Sequence, residues 1–560
     1  MQRRGLVHSL LAVCVLAIAF TSASPAAEQV DLSEFTSAAT AARHGETLEA
    51  DRQWIDAIRF YETALKRWPE DEDLRYGLRR TRVQFGVDRR YSDRSFEEQL
   101  LAKGRAESLD MLEDVIRRIQ DEYVDNISVT RLVAHGTESL YMALTNDRFL
   151  TSNGSDKAAD HVDRVKKELI RNYWNRPVKS ALEARSVVTT VCELVRRELG
   201  IRDSVVVMEY VFGACNALDD YSDFLTPDRY NDLFGSIQGE FVGIGIEMEA
   251  DKGHGMHLVN VLLDSPAEEG GLRPGDHIVE ISGQDCREMS TDEAARLLRG
   301  KSGSTVRLTF ESPDGTTASG SFTRRSVQVR SVTRALIIDE RQKIGYIRLA
   351  GFQSSTPEEM SDALRQLERE GMRALIWDLR GNPGGLLDTA ASVADQFIDE
   401  GTLVSTEGRA DSQAQTFTAQ YFGTRNYPLV LLVDENSASA SEIVAGAIRD
   451  HARGRIVGRK TYGKWSVQSI IQMPGNTGLK LTTAKFYSPD HKNYAGKGLE
   501  PDELVELPKG VQRTFFRGRT GEEISEDPDV ARGLQVLTAQ ITGNPVAERV
   551  RSPVRQGLGE

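Results

Sequence analysis

The stretch Asn-Ser-Ala-Ser-Ala-Ser-Glu-Ile occupies residues 436–443, shortly after the apolar run Leu-Val-Leu-Leu-Val at residues 429–433. Apolar residues then recur at helical spacing from Ile443 to Ile448. This pattern predicts that a strand ends, the chain turns, and a small hydroxyl residue lies near the N-terminus of a helix. Free backbone N–H groups at that position can stabilise a developing negative charge, so the turn suits a nucleophile.

A lysine follows in the stretch Gly-Lys-Trp-Ser-Val-Gln at residues 463–468, between two β-like runs. A serine hydroxyl needs an adjacent base to become a nucleophile. Lysine can accept the proton only when neutral, which requires that burial lower its pKa. The two stretches together predict a serine–lysine peptidase site. The residues alone do not show whether Ser437, Ser439 or Ser441 is the nucleophile.

Length and composition limit the classes of function. The chain has 560 residues, which suggests about three to four domains. Its formal net charge of −14 argues against nucleic acid as a partner. Cys192, Cys215 and Cys286 show neither a disulfide framework nor zinc spacing, so we expect buried free thiols, with one disulfide as the alternative.

The N-terminus has the pattern of a secretory signal peptide over residues 1–26. Two arginines precede an apolar run from Leu10 to Phe20, and small residues suited to cleavage follow. The run is too short for a permanent membrane span, although an uncleaved anchor is the alternative. We therefore expect export through the inner membrane to a periplasmic or secreted location, with membrane association if the anchor is kept.

Two helical regions follow. Residues 28–95 contain a stretch, Ala57 to Pro69, that resembles the second helix of a tetratricopeptide (TPR) unit. A stable array needs at least three copies and only one is convincing, so a packed helical hairpin is the simpler interpretation and a partner-binding module the alternative. Residues 96–235 form a helical N-terminal domain, in which the polar segment 150–185 predicts an insertion or exposed loop.

Residues 236–326 resemble a PDZ domain. The supporting features are a Gly-Ile-Gly-Ile loop, a Ser-Pro-Ala turn at 265–267, Leu-Arg-Pro-Gly-Asp at 272–276, and a short helix over 291–298. Backbone N–H groups of a Gly-rich loop can hold a C-terminal carboxylate while a strand edge accepts the peptide. A small β-domain without a ligand is the alternative. The expected peptide-binding loop comprises Val242, Gly243, Ile244, Gly245 and Ile246.

Residues 331–508 alternate strands with helices, which indicates a parallel or mixed sheet covered by helices. Such sheets place ligands at the C-terminal ends of strands. The loop containing Gly384 and Gly385 and the turn containing Ser439 both follow strands, so we expect them to meet at one edge. Residues 509–560 form a C-terminal tail with one helix predicted over Asp529–Ile541.

From about Leu109 to Glu506 the chain resembles the C-terminal processing, or tail-specific, peptidases, which are PDZ-containing serine peptidases of the bacterial periplasm and thylakoid lumen. The resemblance implies a multidomain α+β fold: a helical N-terminal region, a PDZ-like β domain and an α/β peptidase core of the ClpP/crotonase type. The motifs that carry it are Phe-Leu-Thr-Pro at 224–227, Gly-Ile-Gly at 243–245, Asp-Leu-Arg-Gly-Asn-Pro-Gly-Gly at 378–385, Ser-Ala-Ser-Ala-Ser-Glu-Ile at 437–443 and Thr-Tyr-Gly-Lys at 461–464.

The resemblance also implies the site. The family nucleophile falls on Ser439, the base on Lys464 and an assisting glutamine on Gln468. Acyl transfer needs oxyanion donors; the backbone N–H of Ala440 is one candidate, and Gly385 is favoured over Gly384 for the other. The implied reaction is endoproteolysis through an acyl-enzyme on protein substrates with accessible C-termini, without a metal or organic cofactor.

Two departures from the family pattern affect these expectations. Trp465 follows the lysine where the family usually has glycine, and it could desolvate Lys464 or narrow the cleft. Residues 489–492 read Pro-Asp-His-Lys, where the family more often has Pro-Ser-Gly-Arg. The alternative function is therefore a catalytically inactive PDZ/TPR-like scaffold that binds peptides. The oligomeric state stays open, a homo-oligomer included.

Overall fold

The computed structural model describes residues 11–14, 32–154, 159–262, 264–420, 423–506 and 520–543. The chain divides into two compact units. The first comprises residues 1–329, 406–415 and 466–485, and the second comprises residues 330–405, 416–465 and 486–560. The expected signal peptide lies outside the described residues, apart from the short strand Leu11–Cys14.

Helices dominate the first 240 residues and alternate with strands after residue 330. The helices are α1 (Ala38–Ala50), α2 (Trp54–Arg67), α3 (Glu72–Arg90), α4 (Arg105–Glu122), α5 (Val129–Ala143), α6 (Asp147–Ser152), α7 (Ala159–Asn172), α8 (Ala181–Leu199), α9 (Asp203–Asn216), α10 (Pro227–Gln238), α11 (Pro266–Glu269), α12 (Thr291–Leu298), α13 (Thr356–Arg369), α14 (Leu387–Ala394), α15 (Ala440–Asp450), α16 (Gly521–Ser525) and α17 (Pro528–Thr542).

Strands form four sheets in the described part of the chain. They are β1 (Leu11–Cys14), β2 (Asp223–Leu225), β3 (Glu240–Gly243), β4 (Ile246–Asp251), β5 (Gly255–Val261), β6 (His277–Ile281), β7 (Gln284–Asp285), β8 (Thr305–Glu311), β9 (Thr317–Thr323), β10 (Arg325–Gln328), β11 (Val332–Asp339), β12 (Ile344–Leu349), β13 (Ala374–Asp378), β14 (Gly385–Leu386), β15 (Thr402–Gly408), β16 (Gln415–Thr418), β17 (Leu429–Val433), β18 (Arg455–Gly458), β19 (Ser466–Met473), β20 (Thr477–Tyr487) and β21 (Glu503–Leu504).

The first three helices pack around the ring of Tyr61. A Cβ added to Gly45 would lie 2.3 Å from this ring, and one added to Gly77 would lie 2.5 Å from it. The missing side chains therefore let α1 and α3 approach α2 closely on both sides of one aromatic residue. Ala57, Phe60 and Ala64 of α2 are buried in the same cluster.

A larger apolar core joins α4, α5, α8 and α9. Helix α9 is buried along nearly its whole length. The prediction of an exposed loop over 150–185 is wrong for much of the segment, because α7 is a helix whose Val165 and Leu169 are fully buried. These two residues are four positions apart, which suffices to seat one turn of an otherwise polar helix.

The PDZ-like region is a sheet in the order β4-β5-β6-β8-β9. Strand β4 lies at its edge, and helix α12 contacts β4 and β6. The observed bounds of α12 agree with the predicted helix over 291–298. An open strand edge beside a helix is the arrangement that accepts an added peptide strand.

The second unit contains a mixed sheet in the order β11-β12-β13-β17-β18-β21. Strand β11 is antiparallel to β12, and each following pair is parallel. Strands β12, β13 and β17 are buried at every position, as expected for a sheet covered on both faces. The predicted mixed sheet is confirmed, and β13 and β17 are neighbours that end at the same edge.

Three further expectations concern thiols, the C-terminal helix and membrane spans. Cys192, Cys215 and Cys286 are free and buried, as predicted. The helix predicted over Asp529–Ile541 is present as α17. None of the helices in the described ranges combines the length and apolar character that a membrane crossing needs.

Candidate active site

Ser439 lies at a strained turn between β17 and α15. Its backbone has φ 57° and ψ −115°, a conformation that residues with a side chain rarely adopt. The residue is fully buried and immediately precedes the first residue of the helix. The turn therefore presents a hydroxyl residue at the N-terminus of a helix.

The two neighbouring serines have structural contacts. The Ser437 hydroxyl donates to the Leu379 carbonyl at 2.8 Å, and the Ser441 hydroxyl donates to the Asn382 carbonyl at 2.9 Å. Both bonds tie the turn around Ser439 to the loop that follows β13. The hydroxyls of Ser437 and Ser441 are therefore engaged in hydrogen bonds to the main chain. Ser439 differs from both in its backbone conformation.

The Gly-Gly loop packs directly on the serine turn. A Cβ added to Gly384 would lie 2.8 Å from the Ser439 Cβ and 2.9 Å from the Ala440 nitrogen. Gly384 has φ 105° and donates its N–H to the Asn382 side-chain oxygen at 2.9 Å. Only a glycine fits there without displacing the turn. The expected meeting of the two loops is confirmed.

Gly385 faces a different neighbour. Leu386 donates its N–H to the Phe352 carbonyl at 2.8 Å, and Phe352 donates its N–H to the Gly384 carbonyl at 3.0 Å. A Cβ on Gly385 would lie 2.0 Å from the Phe352 oxygen. The loop is therefore held from both sides, by Phe352 and by the serine turn.

A buried carboxylate, Glu442, joins the serine turn to the lysine loop. Its Oε2 accepts the backbone N–H of Ser439 at 2.9 Å and that of Lys464 at 2.8 Å. Its Oε1 accepts the Thr461 hydroxyl at 2.6 Å and the Gly463 N–H at 2.8 Å. One oxygen thus fixes the main chain of both residues, which brings Ser439 and Lys464 together.

The electrostatics of Glu442 follow from its surroundings. Burial raises its pKa, and hydrogen bonds from the Thr461 hydroxyl and from three backbone amides oppose the rise. Four donors converge on this carboxyl group, so the ionised, acceptor-only form satisfies all of them. Lys464 is itself only 1% exposed.

Comparison with known proteins identifies two regions of the chain, a peptidase domain and a PDZ domain. Peptidase family S41 matches residues 343–505, and a PDZ domain matches residues 258–312. The carboxyl-terminal-processing protease of Synechocystis sp. is 38% identical over 294 residues, which cover 52% of this chain and 68% of that protein. The corresponding protease of Picosynechococcus sp. is 36% identical over 316 residues, or 56% of this chain and 76% of that protein.

This chain belongs to the carboxyl-terminal-processing protease family.

It is a serine-type peptidase with a PDZ domain, and the predicted fold class is confirmed: a helical N-terminal region, a PDZ domain and a peptidase core. Among solved structures, a photosystem II D1 C-terminal processing protease is 24% identical, with a TM-score of 0.37. The match covers 72% of this chain and 94% of that one.

Trp465, the departure from the family pattern, is a core residue of the protease. It is 1% exposed, and its ring centroid lies 4.7 Å from that of Phe486 and 4.8 Å from that of Tyr494. A Cβ added to Gly446 of α15 would lie 3.2 Å from the indole. Because the side chain is buried among these groups, it packs the loop that contains Lys464 against α15.

Gln468 lies on β19 in the first unit. It is fully buried, and its Nε2 donates to the hydroxyls of Ser466 at 3.0 Å and Thr482 at 3.2 Å. Its Oε1 is buried and has no hydrogen-bond partner among the described residues. This atom is the acceptor that an assisting role would use.

The predicted peptide-binding loop connects β3 with β4 in the PDZ domain. Ile244 is buried and accepts the Ala267 N–H through its carbonyl at 2.8 Å. Gly245 has φ 84°, and a Cβ there would lie 2.2 Å from the Ser265 side chain. Val242 is 41% exposed, while Gly243 is buried and Ile246 begins the edge strand.

Sequence reasoning missed Glu442 and Asn382. Glu442 stands three residues after Ser439, the spacing of a capping box, and this signal could have identified it. Asn382 is fully buried and donates to the Leu349 carbonyl at 2.9 Å while its own oxygen accepts from Gly384. Nothing in the sequence distinguishes that role from an ordinary turn asparagine.

Proposed function

We propose that this protease cleaves exported proteins near their C-termini through a Ser439–Lys464 acyl-enzyme mechanism, after the PDZ domain has bound the C-terminus. The observation that carries the proposal is the buried Glu442 carboxylate, one oxygen of which accepts the amides of both Ser439 and Lys464. The relatives named carboxyl-terminal-processing proteases support the substrate class.

The reaction uses the two residues in turn. Neutral Lys464 accepts the Ser439 hydroxyl proton as Oγ bonds to the scissile carbonyl carbon. The tetrahedral intermediate collapses when the C–N bond breaks and the lysine returns the proton to the leaving amine. Water then attacks the ester carbon while Lys464 accepts one of its protons. The bond between this carbon and Ser439 Oγ breaks as the lysine returns the proton to Oγ, which releases the new carboxyl terminus.

The oxyanion needs two preorganised donors. The N–H of Ala440 belongs to the first residue of α15, so it has no partner within its own helix. Between the two glycines, Gly384 already donates its N–H to Asn382. We therefore assign the second donor to Gly385.

We assign Gln468 an assisting role because the family motif has a glutamine four residues after the lysine. Its buried Oε1 supports this role because the atom is an acceptor without a partner in the described part of the chain.

The PDZ domain supplies recognition in this proposal. The loop Val242–Ile246 holds the terminal carboxylate, and the β4 edge beside α12 takes the peptide as an added strand. Export follows from the signal pattern of residues 1–26. Residues 28–95 are a packed helical segment in this proposal, with docking of a partner protein as the alternative, and a homo-oligomer is compatible with these assignments.

The test is digestion of a peptide library with varied C-termini by the wild type and by Ser439→Ala. We expect cleavage by the wild type alone, weakened when the terminal carboxylate is amidated. Peptide binding without turnover in the wild type would instead support the inactive scaffold. Equal cleavage of free and amidated peptides would remove the C-terminal recognition but leave the peptidase.

A further inference from the structure

Helix α17 lies beyond the region that matches the peptidase family, which ends at residue 505. Its first turn nevertheless carries two carboxylates that contact loops of the active site. Asp527 caps the helix by accepting the N–H groups of Asp529 and Val530, and Asp529 is 1% exposed. A buried carboxylate needs specific partners to offset its loss of hydration.

Those partners are two arginines. Asp529 accepts Arg459 Nη1 at 2.7 Å and Nη2 at 2.9 Å, one on each oxygen. Its Oδ2 also accepts Arg380 Nη1 at 2.7 Å, and the same Nη1 donates to Asp527 at 2.7 Å. Bidentate contacts of this kind fix orientation as well as distance.

Each arginine begins one of the two loops that the chemistry uses. Arg380 immediately precedes Gly381–Gly385, the loop that contains the proposed oxyanion glycine. Arg459 follows β18 and leads within five residues to Lys464. Asp529 is thus a single buried group shared by the oxyanion loop and the base loop.

Arg380 also contacts another carboxylate, that of Asp378. Arg380 donates to both oxygens of Asp378 at 2.8–3.0 Å, and Arg348 donates to the Arg380 carbonyl at 3.0 Å. Arg348 and Arg380 hold the pKa of Asp378 far below its ordinary value. Neutralising Asp529 would remove the carboxylate charge that Arg380 and Arg459 share. Little water reaches these side chains to replace it.

Helix α17 is also seated on the strands that lead into the site. A Cβ added to Gly533 would lie 3.1 Å from Ile376 on β13 and 3.3 Å from Val430 on β17. Val530 and Leu537 are fully buried in the same apolar cluster. Close packing of this kind leaves the helix little freedom to shift without the strands.

We propose that Asp529, assisted by Asp527, is a positioning residue that holds the oxyanion loop and the base loop in register, so that the C-terminal helix completes the active site. This inference rests on the proposed Ser439–Lys464 chemistry. Displacement of catalytic groups by about 1 Å can cost about 100-fold in rate. Loss of the shared carboxylate therefore acts on kcat, whereas peptide capture by the PDZ domain is unaffected.

The experiment compares Asp529→Asn with the matched control Arg532→Gln in the full-length protein. Arg532 lies on the same helix, but its ion pair is with Glu503 at 2.8 Å and involves neither loop. For each variant, kcat and KM are measured on one peptide, and kcat is normalised to folded protein determined by circular dichroism. The wild type and Ser439→Ala are assayed alongside.

We expect Asp529→Asn to lower kcat per folded molecule by about 10- to 100-fold with KM changed less than about twofold, and Arg532→Gln to leave both near wild type. Equal kcat in Asp529→Asn and wild type, or equal losses in the two helix variants, would overturn the inference. If Asp529→Asn does not fold, Asp527→Asn is measured instead and judged by the same criteria, because asparagine retains the helix cap. Turnover that survives in Ser439→Ala would instead contradict the proposed function.

Discussion

At the scale of single residues, the site depends on groups that cannot be exchanged for close analogues. Ser439 adopts a positive φ, Gly384 touches it directly, and Glu442 satisfies four donors with two oxygens. Each of these features restricts the main chain around Ser439. Changes at these positions should therefore affect the chemical step more than substrate binding.

Gly384→Ala tests the contact between the two loops. The added methyl group would meet the Ser439 Cβ and the Ala438 oxygen at 2.8 Å, so the turn must move. We expect kcat to fall by about 100-fold or more. Gly371→Ala is the control, because Gly371 also has a positive φ, 89°, but lies in open space. It should cost about 1–2 kcal/mol of stability and no activity; equal kcat losses in both variants would argue against the contact.

Glu442→Gln tests the shared carboxylate. A carboxamide keeps one acceptor oxygen and turns an NH₂ group toward donors, so two of the four bonds are lost. We expect a loss of about 1–3 kcal/mol in stability and a fall in kcat of at least about tenfold. Urea unfolding and steady-state kinetics measure the two effects. Glu500→Gln, an exposed partner of Lys460, should change neither; wild-type kcat in Glu442→Gln would contradict the role.

At the scale of elements, the base loop is supported by aromatic packing that the sequence did not reveal. Trp465 fits between Gly446 of α15 and the segment containing Phe486 and Tyr494, and Asn493 donates to the Trp465 carbonyl at 3.1 Å. In the sequence, a tryptophan beside Lys464 is compatible with either a cleft wall or a core anchor. Only its burial distinguishes the two.

Trp465→Ala and Trp465→Phe separate these roles. As a core residue, Trp465 should lose about 3–5 kcal/mol of stability on truncation to alanine and less on replacement by phenylalanine. Relative kcat/KM values among peptides that differ at the cleavage site should stay constant, because the indole is buried. A marked change in preference at wild-type stability would show that it lines the cleft. Urea midpoints and competition digests give both quantities.

The pairing of β2 with β20 gives a pH-dependent contribution to stability. Asp223 lies opposite Lys480, and burial lowers the pKa of Lys480 to about 8 from its ordinary 10.5. Between these values the unfolded chain binds the proton that the folded chain has lost, so stability contributed by this site rises with pH. Compared with Lys480→Met, the wild type should gain up to about 3 kcal/mol between pH 8 and pH 10.5. Parallel urea-stability curves for the two proteins would contradict the shift.

At the scale of the whole molecule, the sequence predicted the order of regions and the edge at which the site lies. Strand–loop patterns before Gly384 and Ser439 sufficed for this, since parallel neighbours such as β13 and β17 end together. The contacts of Glu442, Asn382 and Asp529 were not predictable, because they join residues whose pairing depends on side-chain packing. The polar helix α7 was missed because just two of its residues, Val165 and Leu169, are fully buried.

The central claim, that Ser439 is the nucleophile activated by Lys464, is tested most directly by mass spectrometry after reaction with a serine-directed covalent probe. We expect one adduct, on the peptide containing Ser439, in the wild type. The adduct should be lost in Ser439→Ala, slowed by at least about 100-fold in Lys464→Ala, and retained in Ser437→Ala molecules that fold. An adduct on Ser437 or Ser441, or equal labelling with and without Lys464, would contradict the account.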